Sequence, residues 1–192
     1  MYYKAIIIGA STGGPSALRT ILKSLPKSFP IPIVVVQRIP QGIFAESLAE
    51  ALNEASDISV RILKERDVIQ PDEAVLIPGG FNLTFEGENN TIKLIPGEDP
   101  DNSPSISSTI KQAGSFFKGP IIFSVLTGIC LEDHLINEAK NLSDQNGYIV
   151  VQKPETCFID DLPKTIIQSN ISNDIIELER MGSVLTELSG KV

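Results

Sequence analysis

The 192-residue sequence is short of positive charge, of cysteine and of histidine: 16 Lys and Arg stand against 24 Asp and Glu, for a formal net charge of −8, with two Cys and one His. That balance lacks the basic face a phosphate backbone demands, so nucleic acid is not expected as a partner. Cys130 and Cys157 are too few for a disulfide framework, and reduced thiols are the default. There is no basic leader with a cleavage site and no apolar run of membrane-spanning length, which predicts a cytoplasmic protein without membrane insertion. Repeats and low-complexity tracts are missing as well, and neither a metal nor a cofactor is expected. The 42% apolar content suffices for one domain with its own core.

What is present organises itself around the start of the chain. Ala5 to Ile8 are four apolar residues in a row, as in a parallel strand buried on both faces. Gly9-Ala10-Ser11-Thr12-Gly13-Gly14-Pro15 then forces a sharp turn into a helix over 16–24, with Pro15 suited to the helix start. Gly9 to Gly13 reads G-x-S-x-G, the nucleophile-elbow pattern, in the strand-turn-helix setting that pattern needs. Such a corner lifts the Ser11 hydroxyl clear of the sheet and aims helix N-terminal N–H groups at an oxyanion beside it. The competing reading is an anion-binding first turn of a doubly wound fold. It is weakened because Ser11 occupies the second glycine of G-x-G-x-x-G, and no G-K-[ST] follows.

A further fully apolar run predicts a strand at Ile33 to Val36, and strands are also predicted at Ser59 to Leu63, Ala74 to Ile77, Pro120 to Leu126 and Tyr148 to Val151. Helices are predicted at Ile43 to Asn53 (Phe44, Leu48, Ala51 and Leu52 on one face), Ser105 to Phe116, a segment ending near Leu142, Asp161 to Ser169 and Asn173 to Leu188. Leu83 to Phe85 and Thr91 to Leu94 alternate about Gly87-Glu88-Asn89-Asn90, a hairpin signature. The fold class is therefore α/β: a doubly wound, mainly parallel sheet with helices on both faces and a small antiparallel hairpin. Its site is expected in the crevice beyond the carboxyl ends of the strands. Three such ends are polar: Ser11, Gln37-Arg38 and Glu132-Asp133-His134.

Ile7 to Pro15, Val34 to Pro40, Leu76 to Asn82, Ser103-Pro104-Ser105, Val125 to Gly128 and Tyr148 to Gln152, in that order and spacing, resemble the catalytic domain of CheB-type chemotaxis methylesterases. The resemblance covers nearly all of the chain. It implies hydrolysis of glutamyl methyl esters on the cytoplasmic segment of methyl-accepting chemoreceptors, with a serine nucleophile, a histidine base and an orienting aspartate. It also implies an oxyanion hole of backbone N–H groups, here at Thr12 and Ile129. Ser11 matches the nucleophile, but Arg38 falls where the family has its histidine and Glu132 where it has its aspartate. Asn82 replaces a further histidine, and Cys130 a glycine. The family usually carries a receiver domain and linker ahead of this region. Here the first strand begins almost at Met1, so a single domain over 1–192 without a receiver domain is expected.

A guanidinium, with a pKa above about 12, cannot accept the serine proton. Losing a triad's base leaves only the roughly 10³- to 10⁴-fold over water that binding and an oxyanion hole give. His134 is the remaining candidate for a substitute base, against its plainer reading as a solvated residue at a helix start. Cys130 is a weaker surrogate nucleophile. Arg38 is expected to pair directly with the carboxylate of Glu132 or of Asp133, against the plainer reading of two separate charges. Two functions follow: an impaired esterase of this family, or a non-enzymatic module on the same fold that binds a receptor or another signalling protein.

Overall fold

The computed structural model describes residues 3–86 and 91–190, so the expected hairpin turn at Gly87 to Asn90 lies outside the described residues. Among the described residues nine strands and six α-helices follow one another along the chain, alternating except where β3 to β6 run in succession. Seven strands form one sheet in the order β3-β4-β2-β1-β7-β8-β9, and every pairing in it is parallel. They are β1 (Ile6–Ala10), β2 (Ile33–Gln37), β3 (Ser59–Ile62), β4 (Glu73–Leu76), β7 (Ile122–Val125), β8 (Tyr148–Gln152) and β9 (Asp174–Ile176). The remaining two, β5 (Phe81–Glu86) and β6 (Thr91–Pro96), make the antiparallel hairpin. Strand order reverses around β1, which puts the switch point of the fold at the end of the central strand.

The period-two alternation of buried strands divides the core. Ile6, Ile8 and Ala10 of β1 face one cluster with Leu18, Ile21, Leu52, Met181 and Leu185. Ala5 and Ile7 face the other, with Ile106, Ile110, Phe123, Ala139, Leu162 and Ile166. Helices α1 (Gly14–Lys23), α2 (Phe44–Ala55) and α6 (Leu178–Ser189) therefore cover one face. Helices α3 (Ile106–Phe117), α4 (Leu135–Asp144) and α5 (Asp161–Gln168) cover the other together with the hairpin. Burial on both faces is why β1 and β2 up to Val36 are apolar, and why β7 is apolar but for the buried Ser124.

Two expectations need correcting. Helix α2 buries Ala45, Ala49 and Leu52, while Phe44 is 59% exposed. The small residues at i and i+4 let the helix sit close to the sheet, and the stripe is rotated away from Phe44 and Ala51. The segment expected as one helix from Asn173 begins instead with β9, which pairs with β8 from Val150 to Gln152. Asn173 Oδ1 accepts the Ile149 N–H at 2.7 Å, and the Tyr148 hydroxyl donates to Asp174 Oδ2 at 2.8 Å. Three residues are too few to show a strand period, so edge pairing, not local pattern, decides this segment.

Candidate active site

Ser11 stands one residue past β1 at the switch point and is 8% exposed. Gly13, at φ 84, is the N-cap of α1, with Pro15 in its first turn, as the glycine-rich corner requires. The corner is pinned from both neighbouring strands. Ser11 N–H donates to Thr127 O at 3.1 Å, and Gly14 N–H to Ser11 O at 2.8 Å. Gln37 Nε2 donates to Ser11 O at 3.0 Å and to Arg38 O at 2.9 Å. Gln37 was legible only as a polar strand end; here it is the strut that fixes the two site residues relative to each other.

Arg38 follows β2 directly and is 9% exposed. Its Nη2 donates to Ser11 Oγ at 3.0 Å and also to the Ile129 carbonyl in the loop after β7. The sequence-aligned residues Ser11, Arg38 and Ile129 are thus brought together. At the serine oxygen stands a donor with a fixed positive charge. Burial pulls the Arg38 guanidinium below its ordinary value, against the opposing pull of Glu132 and Cys130. The direction does not make it a base, because an arginine stays protonated at neutral pH.

The expected contact of Arg38 with Glu132 or Asp133 does not form among the described residues: Glu132 acts on α3 instead. Its Oε1 accepts the Ile106 N–H at 2.8 Å, and its Oε2 accepts the Ser107 N–H at 2.6 Å and the Ser105 hydroxyl at 3.0 Å. Ser105, the N-cap of α3, in turn accepts the Ser108 N–H. A carboxylate at a helix N-terminus satisfies orphan N–H groups and opposes the helix dipole, which is a stronger demand on Glu132 than one guanidinium across the crevice. Replacing Glu132 with Ala should therefore act on stability, lowering it by about 2 kcal/mol for the loss of charge-assisted bonds. A shift of the urea midpoint checks this; an unchanged midpoint would contradict the capping role.

His134 is exposed and is the N-cap of α4. It lines a surface hollow with Ser105, Ser107, Lys111 and Glu138, and no hydrogen bond joins it to Ser11, whose Oγ is met by Arg38. Asn82 Oδ1 accepts the Ser105 N–H at 2.7 Å and serves the same helix start. Cys130 N–H is held by Asp161 Oδ2 at 2.8 Å. The Cys157 thiol is pushed up to about 11 by burial and by Asp160 and Glu155, which makes it a poor nucleophile. The backbone N–H groups of Thr12 and Ile129 donate to nothing among the described residues. Among the same residues no three His, Cys, Asp or Glu side chains are grouped as metal ligands, and no helix is long and apolar enough to cross a membrane.

A family model described as CheB methylesterase matches residues 6–185. The protein-glutamate methylesterase/protein-glutamine glutaminase of group 1 operon of Pseudomonas putida is 34% identical over 187 residues, 96% of this chain and 49% of that protein. A namesake from Pseudomonas aeruginosa is 31% identical over 96% of this chain and 50% of its own length. The chain thus spans about half the length of the curated relatives it matches. The crystal structure of the Thermotoga maritima CheB methylesterase catalytic domain superposes with a TM-score of 0.86 at 28% identity, covering 98% of this chain and 100% of that one.

Proposed function

Because the chain belongs to the CheB methylesterase family, we propose that it is a member with the family's site architecture whose ester hydrolysis is impaired or silent. The observation that carries this is the Arg38 Nη2 donor 3.0 Å from Ser11 Oγ. A serine attacks an acyl group only as its proton leaves, and a group already donating to that oxygen cannot receive the proton. The same reasoning covers both activities in the relatives' names, since ester and amide hydrolysis each need this proton transfer.

In this reading residues 1–192 act as one cytoplasmic domain that meets glutamyl side chains on a chemoreceptor segment or another signalling protein and turns them over little or not at all. The Thr12 and Ile129 N–H groups supply an oxyanion hole, worth at most the roughly 10³- to 10⁴-fold that survives loss of a base. Methanol release from a methylated chemoreceptor fragment tests this. Wild type and Ser11→Ala are expected to give the same rate. A robust rate that disappears in Ser11→Ala would overturn it.

A further inference from the structure

Arg38 is a cation held nine-tenths buried with no carboxylate bonded to it among the described residues, Glu132 acting on it only at longer range. Its described partners, the Ser11 hydroxyl and the Ile129 carbonyl, are both neutral, and among the described residues no carboxylate forms an ion pair with it. Its Nε is buried with no hydrogen-bond partner among the described residues, and Nη1 donates to no described group. A buried charge in this state is unfavourable until an anion joins it. Other donors stand beside it: the Ser11 hydroxyl, whose proton has no base to go to, the unused N–H groups of Thr12 and Ile129, and the start of α1.

From this set we propose that the Ser11–Arg38 corner is a receptor for an ionised carboxylate on a short aliphatic stem, the free glutamyl side chain of a polypeptide, and that it prefers this to the methyl ester. The inference rests on the reading that Ser11 lacks a base. A carboxylate accepts from the guanidinium and from the serine O–H through two oxygens, with charge-assisted bonds that a neutral ester cannot match. The charge count favours a monoanion over a phosphate: one guanidinium is available, and Glu132 is near enough to act on it. The rim suits an aliphatic stem. Ile129 is 41% exposed and Phe158 76% exposed, and Phe158 Cβ stands 2.6 Å from where a Gly13 Cβ would be.

The test is calorimetric titration of the full chain with two otherwise identical helical peptides, one carrying a single glutamate and the other its γ-methyl ester. The acid is expected to bind at least about tenfold more tightly, because only it forms bonds between two charged groups. Arg38→Met is expected to abolish that preference while circular dichroism shows a folded chain. Should Arg38→Met fail to fold, the wild type alone decides: acid-peptide binding must fall as pH drops through the ordinary glutamate range near about 4.3. Equal affinities for acid and ester, or a preference kept in folded Arg38→Met or below that range, would overturn the proposal. Acetate and inorganic phosphate serve as competitors. Displacement by acetate at least as effective as by phosphate supports a carboxylate site, and stronger displacement by phosphate refutes it. Equal affinities would leave the lack of a base standing, whereas serine-dependent methanol release would remove that premise directly.

Discussion

Arg38→His is expected to raise methyl-ester hydrolysis by about 10²-fold over the wild-type rate, the low end of what a positioned general base contributes, with the gain lost when Ser11→Ala is added. The substitution does two things at once. It removes the donor at Ser11 Oγ and the bond to the Ile129 carbonyl, and it puts a proton acceptor at the end of β2, next to the corner that Gln37 already braces. The gain stays at the low end because Glu132 is committed to the first turn of α3 and does not orient the new imidazole. Arg38→Ala, which removes the donor without adding an acceptor, should leave the rate unchanged. If Arg38→Ala and Arg38→His gain equally, obstruction by the guanidinium and not the missing base is what limits the wild type.

Gly128→Ala is expected to lower stability by about 3 kcal/mol or more, combining strain at a special backbone angle with overpacking. Gly128 sits at φ 155, and a Cβ there would lie 2.5 Å from Ser11 Cβ and 2.8 Å from Ser11 N. Neither side can withdraw cheaply. The Gly128 N–H donates to Ile159 O at 2.9 Å, its carbonyl accepts the Leu162 N–H at 2.8 Å, and Ser11 N–H is tied to Thr127 O. The close approach of the β7 loop to the serine corner is thus held by backbone bonds on both flanks. Thermal unfolding checks the cost; a melting temperature equal to the wild type's would mean that this loop is free to move off Ser11.

The serine corner was legible because its signals are local: four apolar residues, glycines where the turn needs them, and a proline at the helix start. The same holds for the two-faced core, since uninterrupted apolar strands admit little else than a covered parallel sheet. Three features were not legible. The buried stripe of α2 is set by how closely Ala45 and Ala49 approach the sheet, and residue size, not polarity, decides it. Strand β9 exists because β8 offers a free edge and Asn173 and Asp174 meet it. The partner of Glu132 could not be read from its position opposite Arg38, because a long flexible carboxylate goes to the strongest nearby donors. Those were the N–H groups of α3, 25 and 26 residues away in sequence.

Labelling with a fluorophosphonate, which reports whether a serine oxygen can be deprotonated for attack, addresses the state of Ser11 without reference to any substrate. The full chain at neutral pH is predicted to leave Ser11 unmodified under conditions that label an ordinary serine hydrolase to completion, and Arg38→His to become labelled. Rapid stoichiometric modification of Ser11 in the wild type, read by mass spectrometry, would contradict the account.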